Sequence, residues 1–150
     1  MNINIPLKEL FPPTSVYKRI PFLGYESIID SLGFKTLLEV SDNDYQGDTR
    51  VLLKDSDNHK YGLLIFGWGS CSGCDWLQGC DTYEQLEELR QSLYKDIVWR
   101  DSAESMAQYL ETKDWEGSFL SKEESYEFRD KAIELLRGTG KKTSIFDSLV

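Results

Sequence analysis

"FKTLLEVSDNDYQGDTRVLLKDSDNHKYGLLIFGW", Phe34 to Trp68, is the stretch that decides the fold. It holds three β-like runs, "FKTLLEV", "RVLLK" and "YGLLIFGW", separated by "SDNDYQGD" and "DSDNHK". Aspartate, asparagine, serine and glycine dominate both connections, because their short side chains or missing Cβ suit tight turns. Connections this short join antiparallel neighbours, since a parallel pair needs a crossover of a dozen residues or more. The spacing predicts an antiparallel meander of about three strands with one buried face. In the first run Phe34, Thr36, Leu38 and Val40 share a face by alternation, and in the third Leu63 and Ile65 oppose Leu64 and Phe66.

Upstream, "YESIIDSLG" reads as a short helix stopped by Gly33. All four prolines fall within the first 21 residues, which makes residues 1–22 a Pro-rich, irregular arm, with Ile5, Leu10, Phe11 and Phe22 as its docking points. Downstream the periodicity becomes helical. "DTYEQLEELRQSLYKDIVW" opens with Thr82 and Gln85 at capping-box spacing and places Leu86, Leu89, Leu93 and Ile97 on one stripe. "DSAESMAQYLETK" takes Asp101 or Ser102 as cap, with Ala103, Met106 and Leu110 inward. "SKEESYEFRDKAIELLRG" has Ser121 and Glu124 as a second capping box, then Phe128, Ala132 and Leu135, and ends at Gly138. The expectation is an α+β single domain over 1–150: an arm, a helix with sheet over 24–80, about three packed helices over 81–138, and a tail over 139–150.

A chain of 150 residues with 40% hydrophobic content is long enough and apolar enough to bury a core, so disorder is excluded. Its net charge is −9, which repels phosphate backbones and favours a protein partner with a basic surface over direct nucleic-acid contact. No apolar run is long enough to cross a membrane, and the first twenty residues lack the apolar segment of a secretory signal. An odd number of cysteines without such a signal points to a reducing cytoplasm and no disulfide framework.

"YGLLIFGWGSCSGCDWLQGC", Tyr61 to Cys80, holds every cysteine and two of the tryptophans. Three readings compete for it. Cys71, Cys74 and Cys80, in C-x2-C-x5-C spacing, together with His59 would supply a closed tetrahedral zinc site, with Asp75 or Asp81 as substitutes for the imidazole. A CxxC after an apolar strand also suits thiol redox chemistry of the thioredoxin type. That fold needs a downstream proline and returning strands, whereas no proline follows Pro21 and helical pattern fills the rest. The favoured reading is a tight, well-filled turn, with small buried thiols, permissive glycines and no cofactor. A phosphate cradle lacks the required lysine, and a Ser-His-Asp triad would have only His59 to use.

Asp42, Asp44, Gln46, Gly47 and Asp48 imitate the first half of a calcium loop, but Leu53 stands where the bidentate glutamate belongs. The acids Asp42, Asp44 and Asp48, with Glu39, Asp55 and Asp57, instead suggest an acidic edge. Tyr45, Tyr61, Trp68 and Trp76 are the aromatic anchors that such a surface would present.

"GWGSCSGCD" (Gly67–Asp75) and the preceding "DYQG" (Asp44–Gly47) together resemble a stretch found in small proteins of bacteriophages and other mobile elements. The resemblance spans roughly Tyr45 to Gln78. It implies an accessory role in a bacterial host cytoplasm and carries over no catalytic residue. The function expected is therefore a non-enzymatic, acidic protein-binding module that modulates or inhibits a host nucleic-acid-handling or defence protein. A cysteine-centred site, zinc or thiol, and a small-ligand pocket lined by Trp68, Trp76 and Tyr61 are the alternatives.

Overall fold

The computed structural model describes residues 3–14, 20–71, 73–116 and 122–138. It is α+β. A four-stranded antiparallel sheet, in the order β1 (Lys35–Ser41), β2 (Gly47–Asp55), β3 (Lys60–Trp68) and β4 (Val98–Arg100), follows two short helices, α1 (Leu7–Leu10) and α2 (Tyr25–Asp30). Helices α3 (Tyr83–Asp96), α4 (Ala103–Thr112) and α5 (Lys122–Ile133) complete it, and α5 runs on into a π-turn over Glu134–Gly138.

The three-strand meander is present with a fourth strand added at its edge. The expected helix over 81–99 stops at Asp96, where β-branched and aromatic residues take over. Val98–Arg100 then pairs with Leu63, Gly62 and Tyr61. A Cβ on Gly62 would fall 2.7 Å from Ile97 and 2.9 Å from Trp99, so the glycine makes room for this return.

The sheet has two buried faces, not one. Val51, Leu53, Leu64 and Phe66 face a core completed by Ile28 of α2, Leu32 in the turn after it, and Leu86, Leu89 and Leu93 of α3. Leu52 and Leu63 face the opposite way, into a core completed by Met106, Leu110, Phe128 and Ala132 of α4 and α5. Consecutive apolar residues in β2 are what a strand covered on both sides requires. The expected alternation in β1 is broken by a register shift between Thr36 and Leu38. Phe34 therefore enters the first core, while Leu38 and Val40 pack against the second.

Helix signals held where they were local. Gly33 adopts φ 85° just past α2; the Thr82/Gln85 capping box forms with both bonds; Ser102 caps α4. Ser121 and the tail over 139–150 lie outside the described residues. In α5 the π-turn advances the register by one residue, so Leu136 is buried and Leu135 is 40% exposed. The arm also differs from expectation. Its anchor is the fully buried Leu7, whereas Ile5, Leu10 and Phe22 are exposed. The Leu7 amide donates to Glu87, and buried Arg90 donates to the carbonyls of Ile5 and Ser31.

Candidate functional site

One end of the sheet gathers most of the residues singled out from sequence. Gly47, which opens β2, pairs with Trp68, which closes β3. The turn over 42–46 and the loop over 69–82 therefore leave the sheet side by side.

The turn is closed around a buried ion pair. Arg50 Nη1 donates to Asp42 Oδ1 at 2.7 Å and to the Asp48 carbonyl at 3.2 Å, and its Nε donates to Ser125 Oγ of α5. The Asp48 amide donates to Asp42 Oδ2 at 2.8 Å. A Cβ on Gly47 would lie 2.6 Å from Asp42 Cβ, so the loop closes only on glycine. Asp42 thus spends its charge inside the fold, not on a calcium ion or a partner. Asp48 holds the same turn, and Asp44 and Tyr45 stand outside it, exposed.

The loop is closed around a second buried carboxylate. Asp75 Oδ1 accepts from Tyr25 OH at 2.8 Å and from the Gly69 amide at 3.0 Å, and its Oδ2 accepts from the Gln78 amide at 2.9 Å. Tyr25 lies against Phe66, ring centroids 4.7 Å apart. Burial, then the bond to Asp75, raises the Tyr25 phenol well above its ordinary value, so it remains a donor. A Cβ on Gly69 would lie 2.3 Å from the Cys74 carbonyl oxygen. Gly69 and Asp75 of "GWGSCSGCD" are accordingly residues this bend needs to close, whereas a Cβ on Gly73 would meet nothing within 4 Å.

Cys71 and Cys74 form an exposed disulfide, their Cα atoms 5.2 Å apart. Cys80 is a buried free thiol that donates to the Trp76 carbonyl at 3.3 Å. Burial first, then the charges of Asp81, Asp75 and Glu88, pushes that thiol up, which keeps it protonated and slow to react. His59 occupies a turn at the other end of β3 with φ 56°, roughly 25–30 Å of strand from the cysteines. Among the described residues no three His, Cys, Asp or Glu side chains converge as a metal site.

The aromatic candidates separate. Trp68 is half-buried, packed on the first core with Nε1 donating to Thr49 Oγ1 at 2.9 Å. Tyr61 sits at the far end of β3 against the second core, so it lines no pocket with the tryptophans. Tyr45 and Trp76 are 84% and 51% exposed, and Phe22, which sequence placed as a docking point of the arm, is 98% exposed beside the same loop. The acids divide too: Asp55 and Asp57 lie at the opposite end of β2 from Asp42, Asp44 and Asp48. A cavity of about 660 Å³ opens between the segment Ile20–Tyr25 and the loop, lined by Leu23, Trp68, Asp75, Leu77 and Leu86.

Sequence reading missed Arg50, read only as part of a strand, and Tyr25, read only as a helix residue. An arginine at the head of an apolar run, next to the acids of the preceding turn, was the available signal for the first, since an unpaired charge is not buried. No local pattern marks the second. Compared with protein-family models, curated proteins and solved structures, the chain matches none of them. Among the described residues no helix is long and apolar enough to cross a membrane.

Proposed function

We propose that the protein is a non-enzymatic binding module whose contact surface is the loop end of the sheet. The observation that carries this reading is the gathering of Phe22, Tyr45 and Trp76 at one end of the molecule. Exposed aromatic rings set on a rigid, hydrogen-bonded base are where binding energy concentrates. Asp44, Asp81, Glu84 and Glu88 are exposed around that end, and with the net charge of −9 they select a partner with a basic surface. The resemblance to bacteriophage proteins adds the setting: a host cytoplasm, with a nucleic-acid-handling or defence protein as the target. Affinity capture from bacterial lysate, with wild type and a Tyr45→Ala/Trp76→Ala variant, tests it. The expected outcome is a basic protein held by wild type, released at high salt and lost by the variant. A partner held equally by both, or none at any salt, overturns it.

The exposed Cys71–Cys74 disulfide favours thiol chemistry as a second reading. Reduction followed by alkylation under native conditions decides it. One fast thiol among Cys71 and Cys74 supports exchange chemistry; two thiols no faster than a free cysteine leave the pair as a structural staple.

A further inference from the structure

Among the described residues two carboxylates are buried at the loop end, and only one has a counter-ion. Asp42 is matched by Arg50. Asp75 is 5% exposed and is held by one hydroxyl and two backbone amides, all neutral. Among the described residues no Lys, Arg or His pairs with it. Buried carboxylates in proteins are normally matched by a cation. A carboxylate offers about four acceptor positions, so three bonds leave one open.

Asp75 is among the residues that line the cavity between Ile20–Tyr25 and the loop. The cavity volume of about 660 Å³ lies inside the range of small-molecule sites, roughly 300–1,000 Å³. The remaining wall is mostly apolar, from Ile20, Leu23, Leu77 and Leu86, with the Trp68 indole alongside. An apolar wall with a single anionic group suits a molecule with an apolar body and one positive end. A bare metal ion would find a single carboxylate and a shell of hydrocarbon, which does not replace its hydration. The aromatic rings add attraction for a cation, and the net charge of −9 raises its local concentration.

We propose that this cavity is a binding site for an organic ammonium carried on an apolar stem, with Asp75 as its counter-ion. The assignment does not rest on the partner-binding reading, because it concerns the purified protein and a small probe. The ammonium can come from a free amine or from a partner's lysine side chain.

The test is a calorimetric titration of wild type with 2-phenylethylamine, 2-phenylethanol and 3-phenylpropanoate, with amide shifts of Tyr25, Gly69 and Leu77 followed by NMR. The amine is expected to bind about tenfold or more tighter than the alcohol, and the carboxylate not at all. A capped lysine peptide runs beside them; whichever of the two ammonium probes binds tighter names the source, and either result supports the assignment. Asp75→Asn should erase the preference for amine over alcohol. Because that variant also alters the loop, Gly24→Leu provides a second route. Gly24 lines the cavity and a Cβ there meets nothing within 4 Å, so a side chain can start from the cavity wall without disturbing the backbone around it. Binding should be lost in Gly24→Leu while its melting temperature stays near that of wild type. Equal affinity for amine and alcohol, shifts confined to residues away from this cavity, or no binding of either ammonium probe overturns the proposal.

Discussion

Both ends of the sheet are closed by carboxylates that collect turn amides, but they draw on different parts of the chain. At the β2–β3 turn Asp55 accepts from the amides of Asp57 and Asn58 and from the Asn58 side chain, all within three residues. At the other end Asp42 is matched by Arg50, which reaches Ser125 of α5, and Asp75 is matched by Tyr25, 50 residues away. The first closure is local: Asp55 is buried too, but its partners sit in a turn whose residues 56–60 are exposed. The second ties both helical layers to the sheet through groups removed from water. Remote closure of this kind holds a loop rigid enough to carry exposed aromatics, and it makes each buried charge costly to disturb.

The largest effect therefore belongs to the ion pair. Arg50→Ala strands the Asp42 carboxylate inside the protein, and the expected loss is about 3–5 kcal/mol of folding stability. Urea denaturation with the slope checked for two-state behaviour measures it. A loss below about 1 kcal/mol would place Arg50 in water and dissolve the contrast between the two ends.

Asp75→Asn comes next. The amide keeps a carbonyl acceptor but turns an NH2 group toward one of the three donors, so one bond becomes a repulsion. The expected cost is about 1–3 kcal/mol, below that of Arg50→Ala because no charge is left stranded. Equal costs for the two variants would mean that Asp75 is matched by a cation after all.

Thr82→Ala separates remoteness from mere position. The Thr82 hydroxyl caps α3 at the same end of the molecule, yet its partner Gln85 is three residues on. Loss of such a cap costs about 1 kcal/mol. A loss matching Arg50→Ala would show that this end is fragile as a whole, whatever the sequence distance of the bond removed.

This difference also explains what was legible before the structure. The α+β class, the meander, Gly33, the Thr82 box and the Leu86–Leu93 stripe all rest on residues a few positions apart, and periodicity or cap chemistry reads such signals directly. β4 was hidden because Ile97 completes the helical stripe and no stop signal separates it from Val98 and Trp99; only the edge of β3, with Gly62 cleared for Trp99, makes a strand of them. Leu136 was hidden because a π-turn leaves no mark in a 3.6-residue pattern. At the candidate site the tight bend was legible at Gly69, and the buried thiol holds for Cys80 alone, because Cys71 and Cys74 are exposed and joined as a disulfide; the acids of "DNDYQGD" looked like surface charge. The Asp42–Arg50 bond crosses eight residues and the Tyr25–Asp75 bond fifty, beyond any turn motif. The same distance kept Phe22 from being placed beside Trp76's loop.

The smallest effect falls on the local end and carries a sign. Burial alone would raise the Asp55 carboxyl, but the Asn58 side chain and the Asn58 and Asp57 amides outweigh it and hold it below its ordinary value of 3.8. A carboxyl whose value is lower in the folded than in the unfolded chain binds its proton less readily when folded. Its stabilisation is complete above the unfolded value and is lost as pH falls through the folded one. Asp55→Asn cannot titrate, so wild type should melt above the variant at neutral pH. That gap should narrow as the pH falls below the unfolded value and close once the folded carboxyl is also protonated, where both carry a neutral group. If the Asp55 gap instead widened in acid, the turn would be held by the protonated carboxyl, and the amides of Asp57 and Asn58 could not be what closes it.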